Sequence, residues 1–166
     1  MKKIIIFFVA VLLSGCKVSF NGASIPEGMK TVNVLFFENT APLVIPYLSQ
    51  EFTEELKTRI RTQTKLSITH GDADGVFEGR ITNYEIRPVA IQDNSQPTAG
   101  ANRLSITVNV KYTNNINSKQ SYEESFTRFR DVSATGGSIE TLQRGLINEI
   151  NEDLAEDIFN RAFAQW

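Results

Sequence analysis

Apolar residues recur along this chain in two periods, two and roughly four, and the switches between them mark the elements. The run TVNVLFF over Thr31–Phe37 is β-branched and aromatic, with Val32, Val34 and Phe36 on one side, and predicts a buried strand. Pro42 and Pro46 interrupt it. Leu48, Phe52, Leu56 and Ile60 then repeat every fourth residue, which makes one face of a helix. Pro46 suits its first turn. Glu51, Glu54 and Glu55 lie early in it and Lys57, Arg59 and Arg61 late, as the helix dipole favours.

A short extended piece, Lys65–Thr69, leads to a turn at GDADG. Val76–Val89 is a long strand. Phe77, Gly79 and Ile81 share one parity and Tyr84 and Ile86 the other, so a bulge is expected near Thr82 or Asn83. DNSQPTAGA, from Asp93 to Ala101, has loop composition. Leu104, Ile106, Val108, Val110 and Tyr112 next alternate with Arg103, Ser105, Thr107, Asn109 and Lys111, giving a half-buried strand with a polar face. Asn114–Ser118 turns the chain into a partner strand, Ser121–Arg130. Ser138 caps the last helix. Its stripe is Ile139, Leu142, Leu146, Ile150, Leu154 and Ile158, widened at the edges by Ile147, Phe159, Phe163 and Trp166. The predicted order is β-α-β-β-β-α, an α+β sandwich with two helices packed on one face of a four-stranded sheet. The other face, with Arg103, Ser105, Thr107 and Asn109, is expected to be polar and exposed.

The beginning of the chain has a different character. Lys2 and Lys3 precede the apolar run Ile4–Leu13, which has the make-up of an export signal and is too short to span a bilayer. It ends in Leu-Ser-Gly-Cys, which matches the bacterial lipobox. That motif implies cleavage before Cys16 and a covalent diacylglycerol and N-acyl lipid on its thiol. Residues 1–15 are thus the expected signal peptide, 16–30 a lipidated tether and 31–166 a single domain. Lipidation also removes a lone thiol that would be a liability in an oxidising compartment. Several acyl chains hold firmly where one would not. Lys17 stands where an aspartate is absent, which by resemblance to enteric lipoproteins favours the outer membrane.

Composition narrows the function. Two of the 17 lysines and arginines belong to the leader, so the mature chain, with 19 acidic residues, is mildly acidic. A nucleic-acid partner, which wants a basic face, is not expected. Asp72-Ala73-Asp74-Gly75 lacks the later ligands of a calcium loop, since Val76 and Asn83 stand where an EF-hand needs oxygen donors. His70 is the single histidine and Cys16 the single cysteine, so no triad or zinc set can be built. Glu51, Glu54 and Glu55 fit a solvated helix face. No catalytic residue and no metal ligand is expected, and the chain does not read as an enzyme.

Five stretches carry a resemblance over nearly the whole mature chain. MKTVNVLFFEN, APLVIPYLSQEFTEELKTRI, FEGRITNYEIRPVAI, NRLSITVNVKYTNN and SFTRFRDVS, following a lipobox in this order, resemble the first strand, first helix and later strands of the LptE family of LPS-assembly lipoproteins, in its more distant branch. The resemblance implies an outer-membrane lipoprotein anchored in the periplasmic leaflet. It implies a partner, the β-barrel LptD, which the domain plugs and helps to assemble. It further implies binding of lipopolysaccharide and help with its delivery to the outer leaflet, with no reaction and no cofactor beyond the lipid on Cys16. Binding of such a phosphorylated, acylated ligand needs Arg or Lys near an apolar patch. The family's basic positions point to Arg103 near the third strand and to Arg128 and Arg130 before the last helix. Arg87, at a strand end, is a further candidate. A solvated surface arginine is the alternative for each. The stretch VNVLFFENT also resembles the opening strand of accessory domains in curli-secretion or Tol-system machines, which leaves a lipoprotein adaptor of another envelope machine as the second reading.

Overall fold

The computed structural model describes residues 25–93, 96–133 and 139–164. The signal segment, Cys16, Ser138 and Trp166 lie outside them. The chain runs through β1 (Thr31–Val34), β2 (Glu38–Asn39), α1 (Leu48–Gln63), β3 (Ser67–Ile68), β4 (Gly75–Asp93), β5 (Gln96–Asn114), a 3-10 turn (Ser118–Gln120), β6 (Tyr122–Ser133) and α2 (Ile139–Phe163). The sheet order is β3-β1-β4-β5-β6, with β2 paired to β4. β1 lies parallel to β3 and β4, while β4, β5 and β6 form an antiparallel meander. Both helices cover one face of this mixed sheet, so the α+β sandwich is as expected. The two extra strands have two residues each: β2 follows β1 along β4, and β3 is an edge strand beside β1.

Three local features depart from the alternation pattern. First, β1 ends at Val34. Its partner positions run Val34 to Phe77 and then Glu38 to Arg80, so the first chain spends one more residue than the second across Leu35–Phe37. One extra residue reverses side-chain parity. Phe36, expected in the core, is 59% exposed, and Phe37 is fully buried in its place. The Phe37 ring meets Phe52 of α1 edge-on at 5.1 Å between centroids. Its N–H, displaced from the ladder, donates to Thr53 Oγ1 at 3.2 Å, and that hydroxyl donates to the Ser49 carbonyl at 2.7 Å. Gly79 leaves room for the ring, since a Cβ there would lie 2.6 Å from Phe37 and would clash with the Asn109 carbonyl.

Second, the expected bulge in β4 is present. Ile81 pairs with Val108 and Asn83 with Thr107, which leaves Thr82 as the extra residue and turns Tyr84 into the core. Third, the loop expected over Asp93–Ala101 is a continuation of the sheet. Ile91 pairs with Thr98, Gln92 with Pro97 and Asp93 with Gln96, so β4 and β5 make one long hairpin. Loop composition was outweighed by pairing with a strand already in register.

The core unites Val32, Val34, Phe77, Ile81 and the inward side of β5 with the inner faces of the helices. In α2 the buried side centres on Ile147, Ile150, Leu154, Ile158 and Phe163, while Leu142, expected on the stripe, is 41% exposed. Phe77 stacks on Tyr112 at 4.5 Å, and Phe163 closes on both rings edge-on. The packed domain also starts earlier than the sequence suggests. Met29 is buried, and Tyr112 Oη lies 3.8 Å from its sulfur. Asp74 fastens this entry. Its Oδ2 accepts from the Lys30 and Thr31 amides and the Thr31 hydroxyl at 2.8 to 2.9 Å, and these bonds hold its carboxyl below its ordinary range. GDADG is therefore a turn, with one aspartate acting as a clamp. No helix among the described residues is long and apolar enough to cross a membrane.

Candidate functional site

The face of the meander opposite the helices carries the polar residues of alternate positions, as expected from β5. Polar pairs link neighbouring strands across it. Lys111 Nζ donates to Glu78 at 2.6 Å, the Thr107 and Thr127 hydroxyls lie 2.9 Å apart, and Asn109 reaches Ser125 at 3.4 Å. Ser105, expected to be exposed, is buried on this face beside Phe129, its partner in β6.

Arg103 is the best-held cation there. Nε and Nη2 donate to the two oxygens of Asp131 at 2.7 and 2.8 Å, a fork that suits guanidinium and carboxylate geometry. The same guanidinium lies 3.8 Å from the centroid of the Phe129 ring, which is itself exposed. The Arg103 hydrogen bonds keep the Asp131 carboxyl below its usual range. Arg87 stands directly across from Arg103 in the β4–β5 register. Its ionic contact, to Glu85 at 3.8 Å, is loose, and its side chain is largely exposed. Arg87 and Arg103 thus put two guanidiniums and one aromatic ring together near the hairpin.

Arg128 and Arg130 face the other way. They sit opposite Ile106 and Leu104, on the side covered by α2. Arg128 grips Asp157 with two bonds of 2.5 Å, and Arg130 reaches Glu149 at 2.9 Å and Asp153 at 2.8 Å. The four candidate arginines therefore do not converge. Two lie on the open face, and two fasten α2 to β6.

The open face also holds a feature absent from the sequence reading. A groove of about 510 Å³ is lined by Leu35, Phe36, Arg80, Asn109 and Lys111 together with Glu38, Glu78 and Glu123. Arg80 is exposed and has no ionic partner among the described residues. The inward parity of Phe77, Gly79 and Ile81 points Arg80 outward, so that signal was available. The exposure of Leu35 and Phe36 was not, because it depends on the extra residue between β1 and β2. A guanidinium beside exposed aliphatic and aromatic carbon can engage an anionic group and an alkyl chain together.

Solved structures with this architecture include a minor lipoprotein from Acinetobacter baumannii and a hypothetical protein from Chlamydia trachomatis. The first has a TM-score of 0.53 at 16% identity, covering 80% of this chain and 91% of that one. The second has a TM-score of 0.57, also at 16% identity, covering 80% and 95%. At that identity the likeness concerns the fold. No curated protein matches the chain. The family model for LptE, described as lipopolysaccharide-assembly, matches residues 29–162, from the buried Met29 to the last turn of α2. With nearly the whole described domain inside that match, the chain belongs to the LptE lipopolysaccharide-assembly family.

Proposed function

We propose that this protein is the lipid-anchored partner of the LptD β-barrel, held in the periplasmic leaflet of the outer membrane by acyl chains on Cys16. The domain plugs the barrel, assists its assembly and helps pass lipopolysaccharide to the outer leaflet. The observation that carries this reading is the family match over residues 29–162. The open sheet face supports it physically. Two close ion pairs and a pair of hydroxyls link its strands, a polar surface suited to a water-lined lumen. On this reading, Arg87 and Arg103 with Phe129, and Arg80 with Phe36, meet the phosphates and alkyl chains of the lipid. Arg128 and Arg130 serve the docking of α2.

The deciding experiment is purification of the tagged, lipidated chain from detergent-solubilised outer membranes, with mass spectrometry of what accompanies it. A stoichiometric β-barrel of LptD type is the expected result. Recovery alone, or with a different envelope machine, overturns the reading and favours an adaptor. Lipopolysaccharide should also raise the melting temperature, because a ligand that binds only the native state stabilises it.

A further inference from the structure

The two helices enclose a second groove, lined by four glutamates and by no basic side chain, where the sheet-face groove mixes both signs. They run side by side in the same direction, since Glu51 near the start of α1 pairs with Arg144, and Arg59 further on pairs with Glu156. Between them lies a groove of about 330 Å³ lined by Glu51, Glu54, Glu55, Thr58, Asn148, Asn151 and Glu152. Glu51 is offset by Arg144 and Glu54 by Lys57, whereas Glu55 and Glu152 have no ion-pair partner among the described residues. The groove is therefore anionic in sum.

Asn151 provides the second observation. It is 2% exposed and lines this groove, yet neither Oδ1 nor Nδ2 has a hydrogen-bond partner. Glu51 Oε2 is likewise buried without one. Of the four buried side-chain atoms left unpartnered among the described residues, three line this one groove. Buried amides are costly when unsatisfied, and leucine would pack on the same helix face without that cost. A donor entering from outside the fold would satisfy the Asn151 carbonyl and the spare Glu51 oxygen together. The surroundings select a donor. Two carboxylates without an ion pair, the spare Glu51 oxygen and the Asn151 carbonyl are acceptors against one unpartnered donor, Asn151 Nδ2, and among the described residues no three His, Cys, Asp or Glu side chains gather as a metal cluster.

We propose that the groove between α1 and α2 receives a basic side chain, an arginine guanidinium or lysine ammonium, from a protein partner. The forked donors of a guanidinium match the acceptor set, reaching Glu51 Oε2 and Asn151 Oδ1 between the carboxylates of Glu55 and Glu152. Opening the helix pair enough to admit it uncovers atoms that are now closed off. The proposal rests on the residues of this groove and stands whether or not the partner is the barrel.

The test follows the Asn151 side-chain amide and the Thr58 and Asn148 backbone amides by NMR, using the full lipidated chain in detergent micelles. The probe is a blocked Gly-Arg-Gly peptide, with the neutral Gly-citrulline-Gly peptide as its match in shape. Saturable shifts at these three residues with the arginine peptide, absent with citrulline and absent in a Glu55→Gln/Glu152→Gln variant, are expected. Asn151→Leu should lose the response while melting no lower than the parent. No shift, equal shifts with citrulline, or a response spread over all surface carboxylates overturns the proposal. A response to magnesium alone at the same residues also overturns it, by making the groove a metal site.

Discussion

Arg128 and Arg130 lie on one strand, Arg103 on the next, and all belong to the same short list of basic candidates. Their surroundings are unlike. Each of the first two is set against carboxylates of α2, at Asp157 and at Glu149 with Asp153, so they close one layer of the fold onto another. Arg103 pairs with Asp131 within the sheet itself and stacks on an exposed ring, leaving the surface around it free. What separates them is parity on a pleated strand, where adjacent residues point to opposite faces. Residue type and nearness in sequence suggest a single basic cluster. The alternation divides it into a pair that holds the architecture and a pair, Arg103 with Arg87, that is presented outward.

The largest predicted effect lies on the helix-covered face and needs no charge at all. Gly79→Ala places a methyl against the Phe37 ring and the Asn109 carbonyl, neither of which is the free end of a flexible chain. The expected loss is about 3 kcal/mol, at the upper end for overpacking a core. Urea unfolding measures it directly. A loss below about 1 kcal/mol would show that the Phe37 site can relax, and that the displaced parity is not firmly held.

The arginines themselves give the sharper contrast. Arg128→Gln with Arg130→Gln removes the ties between β6 and α2, and should cost about 1 kcal/mol of unfolding free energy, since the pairs are forked or shared but partly open to solvent. Arg87→Gln with Arg103→Gln removes one loose pair and one fork lying within the sheet, ties between no two layers, so it should cost less stability than the first double, yet should abolish the thermal shift produced by lipopolysaccharide. Equal stability losses in the two doubles, or a ligand response lost only in the first, would break the division between the faces.

How far this was legible in the sequence differs by element. The strict alternation of Leu104–Tyr112 determines the face of β5, and the parity change between Ile81 and Tyr84 points to a bulge near Thr82 or Asn83, which the register places at Thr82. Both signals are local. The bulge between β1 and β2 was invisible, because Leu35, Phe36 and Phe37 are all apolar and either register gives a plausible strand. The hairpin tip was missed because Pro97 and Gly100 argued for a loop, while the pairing comes from a partner strand. Lipidation of Cys16 is an expectation from its motif, and that residue lies outside the described residues. The inter-helix groove was least legible. Glu51, Glu54 and Glu55 have an ordinary explanation in the helix dipole, and nothing in α2 alone shows that Asn151 turns inward without a partner.

The smallest effect concerns the pair that fixes Arg103 in the sheet. Its hydrogen bond from Arg103 lowers the Asp131 carboxyl from a reference value of 3.8. A carboxylate whose folded pKa is depressed contributes stability that is fully present above the unfolded value and is lost as pH falls through the folded one. Asp131→Asn should therefore differ from the parent at pH 7 and converge with it as the pH falls below 3.8 and through the depressed folded value, where the carboxyl becomes neutral. The comparison is between two unfolding curves measured at each pH, so the general acid sensitivity of the other carboxylates cancels. The helix-covered face provides the control, because Arg128 and Arg130 should keep α2 in place whether or not Asp131 is charged. A difference between variant and parent that stays constant down to low pH would mean that Asp131 acts through shape alone. Arg103 would then owe its position to the Phe129 ring, and the open face would be held by stacking more than by charge.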